Sequence, residues 1–124
     1  MQTAFSVEAI RRAVLVVGKG RVEVDRFSDG VAVSMYGASS KLHGAFLVRD
    51  GVASGYDPEA MSDENVLEVL RRDLAGQPVS IPIEGLGIEL FAAQFEETFD
   101  VLVKNASGEP IHGDTVPLAV FNAA

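Results

Sequence analysis

The densest group of reactive side chains lies in MYGASSKLHGAF, residues 35–46, which holds Ser39, Ser40, Lys41 and His43 between two glycines. A serine nucleophile needs a general base within hydrogen-bond reach and a third group that orients that base. His43 stands three residues after Ser40, and the second histidine, His112, has Asp114 two residues on. Only the fold could join these two places into a triad. The local serine motifs are absent: Ala38 occupies the position where Ser-x-x-Lys needs its serine, and no Gly-x-Ser-x-Gly occurs. Gly37 and Gly44 bracket small polar residues, so the stretch reads as a solvated turn between strands. A buried cleft holding His43, His112 and a carboxylate in hydrogen-bonding reach would be the sign of catalysis.

Other chemistries meet similar obstacles. Glu109, His112 and Asp114 are close in sequence, but Pro110 and Gly113 make their segment a turn and zinc wants several ligands held together. Glu96, Glu97 and Asp100 form an acidic group, yet neighbouring residues on a strand point to opposite faces and do not converge. SDG and RDG carry too few carboxylates for calcium. GKGRVE and GLGIEL lack the third glycine of a dinucleotide loop. With no cysteine there is no thiol chemistry, and with no tryptophan and two tyrosines there is no stacking platform for single strands. The expectation is therefore no catalytic residue, no cofactor and no metal.

The elements that position these residues follow from periodicity. Ser6 as an N-cap, then Ile10, Ala13, Val14 and Val17 at helical spacing with Gly18 beyond, predict a helix over about 7–17. The β-branched run AVLVV could equally make a buried strand. RVEVDRF and VAVSMY alternate as half-buried strands do, and SDG between them predicts a hairpin with Gly30 left-handed. Asp50-Gly51 between AFLVR and VASGY is the strongest hairpin signal, so 21–56 reads as a four-stranded antiparallel meander. Ser62, Asp63 and Glu64, then Val66, Leu67, Leu70 and Leu74, with Arg71 and Arg72 before Gly76 and Pro78, predict a second helix over about 62–75. Strands are expected at VSIPI, 86–94 and 98–104, although Phe91, Phe95 and Phe99 recur every four residues as on a helix. NASGEPIHGD reads as a long turn and VPLAVF as a last strand. The sum is a single domain over 1–124 of α+β class. It is predominantly antiparallel sheet or a partly closed barrel, with two short helices.

Composition bounds the function. Of 124 residues, 48% are apolar, which supports one real core. No apolar run approaches the roughly 18 residues of a membrane helix, and AVLVV behind Arg11 and Arg12 is too short for an export signal, so cytoplasmic synthesis without membrane insertion is expected. The net charge of -8 argues against direct nucleic-acid binding. The charge is uneven: residues 1–56 carry seven Lys/Arg and five acids, while 57–124 carry three and thirteen. Either the fold intermixes the two halves and the asymmetry vanishes on the surface, or the polarity persists and suits head-to-tail contact between copies.

The sequence therefore points first to a non-enzymatic structural or assembly subunit of a ring, shell or virion, whose partners are copies of itself or other proteins of the assembly. Its candidate interface comprises Arg11, Arg12, Lys19, Arg21 and Arg26 on the basic side, and Glu96, Glu97 and Asp100 on the acidic side. Leu118, Val120 and Phe121 of the apolar tail PLAVFNAA complete it. Two alternatives stand beside this. One is a small-ligand-binding or enzymatic domain with an apolar pocket lined by Tyr56, Phe91, Phe95 and Phe99. The other is an acidic inhibitor or antitoxin-type protein that presents 57–73 and 84–100 to a basic surface.

Overall fold

The computed structural model describes residues 12–27, 29–57, 69–83 and 85–123. Strand β1 (Arg12–Val17) begins the described chain. It alternates Ala13, Leu15 and Val17 into the core, all buried. The helix expected over about 7–17 is thus a strand in its described part, and 7–11 lie outside the described residues. Helical spacing lost to β-branched stiffness and to a partner: Gly18, with φ +57, turns the chain so that β2 (Gly20–Phe27) pairs antiparallel with β1.

The meander read from 21–56 is present. β2, β3 (Gly30–Tyr36), β4 (Leu42–Arg49) and β5 (Val52–Gly55) pair antiparallel in chain order. Asp50 and Gly51 both have positive φ (54 and 76), the conformation that a two-residue primed turn requires. Gly30 is different from expectation. It is not among the positive-φ residues but opens β3 opposite Phe27.

The second predicted helix also gives way in its described part. Residues 69–73 form β6 (Val69–Asp73), parallel to β1 from Arg12↔Val69 to Val16↔Asp73. The Leu74 N–H donates to the Val16 carbonyl at 3.1 Å, and Leu74 is buried. Pairing on the free side of β1 outweighs the local capping signals, because propensity is a weak prior against tertiary context. Residues 62–68 lie outside the described residues.

The second sheet is an antiparallel meander of β7 (Val79–Ile83), β8 (Ile88–Gln94), β9 (Thr98–Asn105) and β10 (Pro110–Pro117). Two expectations are corrected. Pro110–Pro117, most of it read as a long turn, is a strand, since His112, Asp114 and Val116 register against Val103, Val101 and Phe99. VPLAVF is a strand only to Pro117, and Leu118–Asn122 is a short helix, α1.

The protein is therefore mostly β. Two open, antiparallel-rich sheets, of order β5-β4-β3-β2-β1-β6 and β10-β9-β8-β7, take the place of a partly closed barrel, with one short helix among the described residues. One core cluster draws on both sheets, including Leu15, Val22, Val33, Met35 and Phe46 from the first and Ile81, Leu90, Phe99, Val101 and Val103 from the second. Phe121 of α1 enters the same cluster, its ring 5.4 Å from that of Phe99 in an edge-on contact. No helix among the described residues is long and apolar enough to cross a membrane.

Candidate functional site

Residues 37–41, with Ser39, Ser40 and Lys41, form the turn between β3 and β4. The Gly37 N–H donates to the Lys41 carbonyl at 2.9 Å, and the Ser40 N–H to the Gly37 carbonyl at 3.0 Å. Ser40 has φ 66, and its Oγ accepts from Arg21 Nη1 at 3.1 Å. Its serines serve the turn, but His43 leads elsewhere. The register of β3 on β4 steps from Met35↔Gly44 to Tyr36↔Leu42, which leaves His43 as the extra residue of a β-bulge. A second irregularity lies on β10, where the register steps from Pro110↔Lys104 to His112↔Val103. Bulges re-aim side chains at sheet edges, and both histidines lie at or beside one.

The two histidines line one cleft of about 480 Å³ between the β4/β5 side of the first sheet and β10 of the second. Its cause is legible in the register. Along the inward row Val48, Phe46 and Gly44 on β4, and Ala53 and Gly55 on β5, two positions carry no side chain. A side chain at Gly55 would point into open space, and one at Gly44 would reach only the end of Met35, 3.3 Å away. Met35 and Phe46 wall the cleft on one side and His112, Asp114 and Val116 on the other. The His112 ring lies on Phe46 with centroids 4.2 Å apart, and its Nε2 is 3.5 Å from Asp114 Oδ2.

This arrangement gathers acid–base groups without a relay. The 3.5 Å separation is too long for a strong hydrogen bond. Ser54 also lines the cleft, yet among the described residues its side chain has no hydrogen bond to either imidazole. His112 and Asp114 are 31% and 40% exposed, so the cleft is open to water. Among the described residues no group of three or more His, Cys, Asp or Glu is arranged to hold a metal ion. The aromatic pocket expected from Tyr56, Phe91, Phe95 and Phe99 is not formed. Phe99 is core, Phe91 lies under Lys104 Nζ (4.7 Å to the ring centroid), Phe95 is exposed, and Tyr56 sits beside Phe27.

The candidate interface residues divide by environment. Arg12 Nε donates to Asp25 Oδ1 at 2.6 Å, and Arg21 Nε to Glu23 Oε2 at 2.7 Å, so both arginines face acids on the side of the first sheet opposite Leu15 and Val33, where Val14, Ala32 and Ser34 are buried too. Arg21 also lies over the Tyr36 ring at 4.3 Å. Burial and then Glu23 hold the Tyr36 phenol above its ordinary pKa, against the opposing effect of Arg21. Lys19 is exposed in the β1–β2 turn, and its N–H donates to Asn122 Oδ1 at 2.9 Å. Arg26 is half-buried, with a guanidinium nitrogen near Gly85. Glu96 and Glu97 are exposed at the tip between β8 and β9, and the Glu97 carbonyl accepts from the Leu118 N–H at 2.9 Å. Asp100 is half-buried, with Oδ1 enclosed and unpartnered. Leu118 and Val120 pack partly against the core. Phe121 is wholly buried in its own chain, so it is no free contact point: the tail's apolar residue fills the end of the core beside Phe99. Arg11 lies outside the described residues.

The two sheets draw on chain segments of different charge. In the described part of 12–73, which forms the first sheet, eight Lys/Arg stand against six Asp/Glu. In the described part of 79–117, which forms the second, Lys104 stands against Glu89, Glu96, Glu97, Asp100, Glu109 and Asp114. These described parts sum to +2 and -5; the remaining -5 of the chain's -8 lies outside the described residues, and with Glu59, Asp63, Glu64 and Glu68 counted the whole stretch 12–73 is net -2. Large apolar side chains exposed beside these charges are Val52 (65%), Phe95 (55%) and Leu42 (40%). The chain matches no protein-family model, no curated protein and no solved structure.

Proposed function

We propose that the protein is a non-enzymatic assembly subunit that associates with copies of itself and docks on other proteins of a ring, shell or virion. What supports this reading is the contrast between the exposed cations Lys19, Lys41 and Arg71 of the first-sheet segment and the acidic second sheet, -5 among its described residues. Stacked head to tail, exposed cations of one copy's first-sheet segment meet the next copy's acidic second sheet, a heterologous contact that propagates into rings or filaments. Complementary charge steers such encounters and sets their orientation, while exposed Val52, Phe95 and Leu42 supply apolar area. The reading needs no bond-making step.

Light scattering coupled to gel filtration tests it. Species larger than a monomer at about 0.05 M salt should dissociate as salt rises to about 0.5 M, where the screening length is only a few ångströms. A strict monomer at millimolar concentration and low salt would refute it.

A second reading has its own support. The cleft lined by Phe46, Met35, His43, His112 and Asp114 has the size of a small-ligand site. A thermal-shift screen with small aromatic and amine compounds tests it, since a ligand that binds only the folded state raises Tm. No shift with any compound at millimolar concentration would count against a small-molecule site.

A further inference from the structure

The open cleft has a backbone as well as side chains. β4 runs for eight residues and pairs with β3 along its whole length. Its other neighbour, β5, has four residues and ends where Gly55 meets Phe46. Among the described residues, 42–45 therefore have a strand on one side only. The free side borders the cleft, which His43, Gly44 and Ala45 line. A sheet edge of this kind is a template for one more strand. The vacant inward positions at Gly44 and Gly55 lie directly inside it.

We propose that this is a strand-addition slot: an extended peptide segment pairs with 42–45 of β4, taking up the line of β5 beyond Gly55. Side chains of a strand alternate between faces, so residues two apart on the added segment both face inward. One meets Met35, Phe46 and Val116 and is apolar. The other meets Asp114, the one Asp, Glu, Lys or Arg among the lining residues, and is lysine or arginine. The acidic balance of the second layer adds to that preference. Lys41 sits just before β4 and does not line the cleft. The proposal rests on the reading of the chain as a docking subunit and names the chemistry of the segment it holds.

The test is a display selection of random ten-residue peptides on the intact protein, followed by fluorescence polarisation of the enriched peptides. Enriched sequences should carry an apolar residue and a Lys or Arg two positions apart. Gly55→Leu fills the open space without a clash, because nothing lies within 4 Å of where its Cβ would be. It should weaken binding at least tenfold with Tm unchanged. Asp114→Asn keeps shape and removes charge, so it should weaken the same peptides several-fold and abolish the preference for a basic residue. The proposal is overturned if no peptide is enriched, if acidic peptides are enriched, or if a folded Gly55→Leu binds them as tightly as the parent. A protein that self-associates yet selects no peptide would lose the slot and keep the assembly reading. A strict monomer that binds such peptides would keep the slot and lose self-association.

Discussion

Replacing Phe121 with alanine is the sharpest probe of how the chain end is held. The ring is 0% exposed and meets Phe99 edge-on at 5.4 Å. Its transfer from water is worth about 2–3 kcal/mol, and the aromatic pair about 1 kcal/mol more. With the cavity left behind, Phe→Ala substitutions cost about 3–5 kcal/mol. Domains of this size have about 5–15 kcal/mol in total, so the loss is about a fifth of it or more. Besides Phe121, α1 is held by the Leu118 N–H bond to the Glu97 carbonyl and by partial packing of Leu118 and Val120 on the core. It has five residues, and no side-chain hydrogen bond caps its start. A helix so short has no stability of its own. Undocking would also release the bond from the Ala38 N–H to the Ala123 carbonyl (3.2 Å) and that from the Lys19 N–H to Asn122 Oδ1. Urea unfolding should show a midpoint shift at nearly unchanged slope, and carboxypeptidase should trim the variant faster than the parent. Phe121→Leu, which keeps much of the volume, should cost about 1.5 kcal/mol or less. A loss below about 1 kcal/mol for Phe121→Ala would refute the argument, because a collapsed or water-filled site cannot replace both terms.

Three further outcomes follow from local geometry. Gly51→Val should destabilise by about 1–2 kcal/mol in thermal melts, since φ 76 suits glycine and penalises a β-branched residue. Arg12→Ala should cost about 1–3 kcal/mol in urea titrations, because Asp25 lies in a half-buried environment where its charge-assisted bond matters. Arg49→Ala should cost under about 1 kcal/mol, because the Arg49–Asp29 pair at 2.9 Å is 47% and 53% exposed. The raised Tyr36 pKa means that the folded state keeps the phenol proton to higher pH than the unfolded chain does. Its effect on stability is constant below pH about 10 and becomes a loss as pH climbs beyond it. Tyr36→Phe should flatten the alkaline limb of a stability–pH curve, and an unchanged limb would show that another group controls it.

The hairpins were legible because their signals are local. Asp50-Gly51 specified its turn, and alternation in 22–26 and 31–35 specified the strands beside it. Phe91, Phe95 and Phe99 mimicked a helix, but Phe91 is on a strand, Phe95 at a turn and Phe99 on the next strand. The two predicted helices failed in their described parts for one reason. Residues 12–17 and 69–73 pair with each other across more than fifty residues, and no local window contains that partner. The candidate site was half legible. His43, His112 and Asp114 stood out by type, but their approach depends on the two sheets facing each other. The cleft itself is made by glycines at 44 and 55, and a missing side chain signals nothing until the register is known.

The pairing of β1 with β6 sets a timetable for folding. Among the described residues every other strand pair joins neighbours in sequence, through connections short enough to close cheaply. Those hairpins form on microsecond scales. β6 must find β1 from 57 positions away, as Arg12 meets Val69, and only then are the described strands of the first sheet all paired. Long-range closure of this kind governs the rate of β-rich domains. A chain emerging N-terminus first therefore leaves β1 with an unsatisfied side until residue 73 has been made, and that interval is when it is most exposed to the wrong companion strand.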